Sequence, residues 1–206
     1  MAKLIPPSDL RTLCFDIETM PVGFSEWDPE AEIVAICTYW IGEKEKPRYW
    51  LVRPENVKQT LAEFCEVYDQ ADMVVGQYIR KFDLPTINGA LMMHGLPMLQ
   101  QKMTADTKDD WGKKRGVSAS LESFLVYYQT MDRLVTVHGK IYKAHLGKAH
   151  WRLIYRALCS LRNDEWSQAQ LNLLRSRCQG DVLATAKVFK KMAKLGHLSA
   201  PKMWRP

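Results

Sequence analysis

The sequence predicts an α/β fold built around a mixed β-sheet. Three β-favouring segments joined by short connections open the chain, as in an antiparallel meander. Helical and strand-like segments then alternate, and the part of the chain after Ser118 is mostly helical. A meander followed by helix–strand alternation is typical of a sheet with helices packed against it.

The predicted strands are short apolar or β-branched runs bounded by turn residues. Residues 12–17 form an apolar run, residues 32–41 are rich in Val, Ile, Tyr and Trp, and residues 48–52 are closed by a proline. The last two predicted strands are 72–77, with Met-Val-Val-Gly at its centre, and 101–107.

Helices are predicted where apolar residues recur at a spacing of three or four. In 55–70 and in 83–94 such residues share one side of the helix, and a glycine and a proline follow the second segment. The remaining predicted helices are 120–129, 151–161 and 165–195, the last with a break near Gly180.

The composition is that of an ordinary globular protein, 47% hydrophobic and 25% charged. We therefore predict a single domain over residues 1–206, with a core at about 10–195 and a short basic C-terminal tail at 196–206. No apolar run has the roughly 18 residues of a membrane span, and the start of the chain lacks the pattern of a secretory signal. The five widely spaced cysteines favour buried thiols over disulfides or zinc. We expect a cytoplasmic protein of a bacterium or of a phage-infected host.

The charge is mildly but consistently basic, with a net charge of +6 and a pI of about 9.0. Lysine and arginine concentrate in the second half of the chain. Such clusters suit a polyanionic partner, of which nucleic acid is the commonest. Solvated lysine-rich helix faces are an equally good explanation.

Two carboxylates lie two residues apart in the first predicted strand. Asp16 and Glu18 would project from the same face of that strand. Two neighbouring like charges repel, and burial without a partner is costly, so the pair favours a cation between them. An acidic turn at the edge of a sheet is the alternative.

Two further aspartates follow at helix starts in the predicted pattern. Asp83 comes directly after the loop that follows the strand at 72–77, and Asp181 comes at the start of the last helical segment. Each could be an ordinary helix N-cap.

Together these residues resemble the motifs of the DEDD-type, or DnaQ-like, 3′–5′ exonucleases of the ribonuclease H-like superfamily. The matching segments are Phe15-Asp16-Ile17-Glu18-Thr19, Phe82-Asp83-Leu84-Pro85, and Asp181-Val182 followed by Ala184-Thr185. Three motifs in order are far more specific than any one of them. The chain looks most like stand-alone relatives of the proofreading domain of family-B DNA polymerases.

The resemblance implies a ribonuclease H-like mixed sheet flanked by helices, and hydrolysis of single-stranded nucleic acid from its 3′ end. Nucleoside monophosphates would be released, with DNA favoured over RNA, and a separate DNA polymerase could be a partner. Two Mg²⁺ or Mn²⁺ ions about 4 Å apart would activate water and stabilise the leaving oxygen. Asp16 would bridge both ions, Glu18 and Asp181 would bind the ion nearer the water, and Asp83 would reach the other through water.

The chain departs from the family where a tyrosine or histidine orients the attacking water. The positions four and five residues before Asp181 hold Arg177 and Ser176, and arginine does not deprotonate in proteins. Arg177 could instead contact the scissile phosphate. The other candidates for orienting the water are Tyr142, His145 and His150. A slow enzyme or a nucleic-acid-binding module, such as a polymerase accessory, is the alternative, and hydrolysis of a short oligonucleotide or a cyclic nucleotide is a third.

Several residues near the motifs are candidates for binding the substrate. Tyr78 stands where relatives often carry asparagine, and its ring could stack on a terminal base or pack into the core. The other candidates are Thr19, Phe24, Trp27 and Phe82.

Overall fold

The computed structural model describes residues 10–20, 32–111, 120–128, 136–137, 140–141, 148–159 and 164–206. The strands are β1 (Thr12–Thr19), β2 (Ile33–Trp40), β3 (Arg48–Leu51), β4 (Met73–Gly76), β5 (Lys102–Asp106), β6 (Thr136–Val137), β7 (Lys140–Ile141) and β8 (Lys202–Trp204). The helices are α1 (Val57–Asp69), α2 (Asp83–Met93), α3 (Leu121–Tyr127), α4 (Lys148–Cys159) and α5 (Glu165–Leu195).

Six of the strands form one mixed sheet in the order β3-β2-β1-β4-β5-β8. The first three are an antiparallel meander, β4 and β5 run parallel to β1, and β8 is antiparallel to β5. The predicted α/β fold with a mixed sheet is therefore confirmed. Strands β6 and β7 pair with each other in a separate small sheet.

The central strand β1 is buried on both faces, so its alternating side chains enter two different cores. Leu13 and Phe15 pack with residues of α1 and α2. Cys14 points the other way and packs with residues of α4 and α5, among them Val182. The sheet is thus sandwiched between helices, and Asp16 and Glu18 lie on the face that α5 covers.

Strand β4 ends at a glycine that leaves no room for a side chain. A β-carbon at Gly76 would overlap the side chain of Ile79 and lie 3.1 Å from the carbonyl oxygen of Phe15. Only glycine therefore allows the loop after β4 to turn back so closely over β1. This loop carries the second motif, so its tight turn sets where α2 begins.

Helix α5 is continuous over its 31 residues, so the predicted break near Gly180 is wrong. Leu174, Cys178 and Val182 follow one another at four-residue spacing, and each is fully buried. Their packing outweighs the cost of one glycine in a helix, which is about 0.5–1 kcal/mol. Asp181 accordingly lies inside this helix and not at its start, so it is not an N-cap.

The C-terminal residues contribute to the sheet. Met203 in β8 pairs with Met103 in β5, and the side chain of Thr104 donates to the carbonyl of Lys202. The three-residue strand lies within the segment expected to be a basic tail. Its shortness explains why no strand pattern marked it.

Within the described ranges, we find no helix whose length and apolar character would let it cross a bilayer.

Candidate metal centre

The first motif places two carboxylates on the α5 side of β1. Asp16 is half-buried and Glu18 is 6% exposed. A shift in the pairing with β2 follows directly, between Glu18 and Thr19. Such irregularities redirect side chains at the end of a strand. Thr19, a predicted substrate-binding residue, lies half-buried at this end of β1.

Helix α5 adds the third carboxylate. Asp16, Glu18 and Asp181 each offer a ligand oxygen, and these atoms all lie within 4.8 Å of one another. The thiol of Cys178 contacts the carbonyl oxygen of Asp16 at 3.8 Å, which holds this turn of the helix against β1. The structure therefore brings together three of the four predicted ligands.

These carboxylates repel one another in a site with little solvent. Burial is the main reason that the pKa of Asp16 is raised well above its usual range, and Asp83, Asp181 and Glu18 add to the effect. Arg177 acts in the opposite direction but does not outweigh them. The site thus favours additional positive charge.

Asp83 lies beside the group of three carboxylates and not within it. Its Oδ1 accepts the backbone N–H of Ile17 at 3.1 Å, so the first residue of α2 is tied to β1 between the two carboxylates of the first motif. Asp83 is only 2% exposed. Burial is the largest cause that raises the pKa of this carboxyl to about 7, against the N–H bond that lowers it.

Arg177 points into the carboxylates. Its Nε donates to Glu18 Oε1 at 2.6 Å, and its Nη2 lies 3.9 Å from Asp181 Oδ2. Burial opposes the charged guanidinium, but Glu18 and Asp181 outweigh burial and raise the pKa of Arg177. The guanidinium is therefore a fixed positive charge inside the site.

The loop after β4 is organised by one buried aspartate on β5. Asp106 is fully buried. Its carboxylate accepts backbone N–H groups at 2.9–3.3 Å from Tyr78, Arg80, Lys108 and Asp109. This residue therefore supports the loop that leads to Asp83.

Tyr78 has a backbone conformation that is unusual for a tyrosine, with φ at +70°. The bond from its N–H to Asp106 holds it there. Its half-buried ring lies 3.7 Å from Lys108 Nζ and 5.6 Å from Lys81 Nζ, measured from the ring centroid. Sequence reasoning missed these two lysines, because their proximity depends on the strained turn. Phe82, which precedes α2, is 40% exposed.

The remaining sequence candidates lie outside what the structure describes. Phe24, Trp27, Tyr142 and His145 fall in undescribed segments, and His150 lies on α4 with only its backbone described.

The donor set fits a divalent cation. Mg²⁺ and Mn²⁺ prefer oxygen ligands, and carboxylates provide both the ligand atoms and the compensating charge. Asp16, Glu18 and Asp181 supply three such groups at one place.

The sheet order and the helices on both faces define a ribonuclease H-like α/β fold. Among solved structures, the chain is similar to the family B DNA polymerase from the hyperthermophilic archaeon Pyrobaculum calidifontis, with a TM-score of 0.59 and 18% sequence identity. The similarity covers 91% of this chain and 25% of the polymerase, so the chain spans about a quarter of that protein's length. At this identity the likeness establishes the fold alone. No known family model matches the sequence, and no curated protein does.

Proposed function

We propose that the protein is a metal-dependent 3′–5′ exonuclease that removes nucleoside monophosphates from single-stranded nucleic acid, with DNA favoured over RNA. The observation that carries this proposal is the group of three carboxylates, Asp16, Glu18 and Asp181, on the α5 face of a ribonuclease H-like sheet. The motifs that contain these residues resemble those of the DEDD exonucleases, which supports the same activity.

The carboxylates would hold the cation, and the rest of the site would hold the substrate. A divalent ion bound there would lower the pKa of the attacking water and help to stabilise the leaving 3′ oxygen. Asp16, Glu18 and Asp181 would be its candidate ligands, with Asp83 beside them. Arg177 cannot act as a general base. Its guanidinium, 23% exposed, is placed to attract the scissile phosphate.

The strained turn supplies a surface for the 3′ end. The ring of Tyr78 would offer a stacking face for a base if the Lys108 ammonium, 3.7 Å from the ring centroid, moves aside, and such stacking binds single strands without sequence preference. Lys81 and Lys108 lie beside that ring and would attract backbone phosphates. Phe82 is exposed on the same loop, next to Asp83. A stacking base and a phosphate could therefore be bound on the loop that leads to Asp83.

A second candidate function is nucleic-acid binding with little or no turnover. It is favoured by one observation, the ion pair between Arg177 and Glu18, in which Arg177 stands where the resemblance implies a water-orienting tyrosine. In that case the protein would act as an accessory module, for example for a separate DNA polymerase. Binding would weaken with salt in proportion to the phosphate contacts.

The test is a nuclease assay on 5′-labelled single strands of DNA and of RNA, with Mg²⁺ or Mn²⁺. The proposal expects a ladder shortened from the 3′ end, faster on DNA, and no shortening with Asp16→Asn. The matched control is Asp72→Asn, because Asp72 is an exposed carboxylate outside the site that accepts the backbone N–H of Arg11 at 2.7 Å, a bond that asparagine can keep. Salt-sensitive binding without any shortening would support the second candidate and exclude the first. Turnover confined to dinucleotides or cyclic nucleotides would exclude both.

A further inference from the structure

The guanidinium of Arg177 is held in place by the packing of its helix. The next residue, Cys178, is fully buried with its thiol against the Asp16 carbonyl. Gln179 donates to the carbonyl of Pro47 at 3.2 Å. These contacts fix the rotation of this turn, and Arg177 and Asp181 share one side of it because they are four residues apart. Arg177 is therefore directed into the carboxylates and not towards solvent.

The bond to Glu18 is short and partly buried. The Nε to Oε1 distance is 2.6 Å, and the side chain of Glu18 is 7% exposed. Bonds between charged partners are stronger than neutral ones, more so where water is excluded. A cation that takes Glu18 Oε1 as a ligand must first displace this guanidinium.

A count of formal charges also argues against a second divalent cation in this site. Asp16, Glu18 and Asp181 contribute three negative charges, Asp83 beside them contributes a fourth, and Arg177 contributes one positive charge within the same site. The remaining charge of −3 becomes −1 with one divalent cation and +1 with two. A second ion would leave a half-buried site with excess positive charge before any substrate arrives.

We propose that this chain binds one divalent cation where its resemblance to the DEDD exonucleases implies two, because Arg177 takes the place of the second. The inference rests on the proposed function, since it concerns the same carboxylates. The guanidinium contacts Glu18 and lies 3.9 Å from Asp181, and these two residues are the pair that the resemblance assigns to the ion nearer the attacking water. Of the candidate ligands, Asp16 would then hold the retained ion, with Asp83 beside it. Displacing the charge-assisted bond makes a second ion bind about 10- to 100-fold more weakly than the first.

The test is the stoichiometry of Mn²⁺ binding, measured by isothermal titration calorimetry and by electron paramagnetic resonance. The wild-type protein is expected to bind one ion and to give the spectrum of isolated Mn²⁺. Arg177→Gln is expected to bind two, with the halved hyperfine spacing of a spin-coupled pair. The matched control is Arg175→Gln, because Arg175 lies two residues earlier on α5 and contacts the ring of Tyr49.

Arg177→Lys tests whether positive charge alone, without the planar guanidinium, excludes the second ion. It also provides a test if Arg177→Gln does not fold. Because lysine keeps the positive charge, one ion is expected. Two ions in the wild-type protein, one ion in a folded Arg177→Gln, or two in Arg177→Lys would overturn the inference and leave the proposed function standing. Absence of Mn²⁺ binding from the wild-type protein would overturn the proposed function as well.

Discussion

Replacing Asp83 by asparagine is expected to stabilise the metal-free protein at alkaline pH. Asp83 is 2% exposed, and its Oδ1 accepts the N–H of Ile17. Asparagine keeps an oxygen that can accept this bond and removes the buried charge. The gain in free energy of unfolding therefore measures how much the ionised carboxylate costs where it lies.

The magnitude follows from the pKa, which burial raises from 3.8 to about 7 in the folded protein. Between these two values the folded state binds more protons than the unfolded state. The free energy of unfolding therefore falls as the pH rises through this window. Above about pH 7 the protein bears the full cost of burying the ionised carboxylate of Asp83. Since one pKa unit corresponds to about 1.4 kcal/mol, the stabilisation by Asp83→Asn is at most about 4 kcal/mol.

Urea denaturation in EDTA, near pH 8 and near pH 4, provides the measurement. Asp83→Asn is expected to raise the free energy of unfolding near pH 8 and to change it little near pH 4. Saturating Mg²⁺ is expected to reduce the gain at pH 8, because the ion favours the charged carboxylate. Asp72→Asn is the control, and its effect should be small at both pH values. An unchanged or lowered stability of Asp83→Asn near pH 8 would refute the reasoning.

Three further substitutions test the framework of the site by urea denaturation near pH 7. Gly76→Ala is expected to lower the free energy of unfolding by about 1–3 kcal/mol, because the added methyl group overpacks against Ile79. Unchanged stability would refute the close approach of Gly76 to Ile79. Gly180→Ala, in open space on α5, is expected to gain about 0.5–1 kcal/mol, and a loss would argue against a continuous helix. Arg80→Met is expected to cost about 1–3 kcal/mol, because the buried carboxylate of Asp110 loses its bonds to the guanidinium and keeps the weaker, more exposed partner Lys202. Full stability of that variant would contradict the role given to the pair.

The sequence was sufficient for five of the six strands of the main sheet and for the three carboxylates that lie together. Alternation in β1 determines which side chains share a face, so Asp16 and Glu18 could be placed together from local pattern alone. Helix α5 was harder to predict. The penalty of Gly180 is a local property, whereas the packing of Cys178 and Val182 on the sheet is tertiary and outweighs it.

The electrostatics of the site depended on contacts between distant residues. The bond between Arg177 and Glu18 joins residues 159 positions apart, and no local pattern indicates it. The same holds for Asp106, whose carboxylate holds Tyr78 in its strained conformation from 28 residues away. The sequence therefore predicted which carboxylates lie together, while the structure shows that the guanidinium of Arg177 lies among them.

Anomalous diffraction from a crystal soaked in Mn²⁺ tests the central claim, that this carboxylate group is a metal site, most directly. The account predicts an anomalous peak within coordination distance of a carboxylate oxygen of Asp16, and its loss in crystals of Asp16→Asn. Full Mn²⁺ occupancy elsewhere with no peak at Asp16 would contradict it.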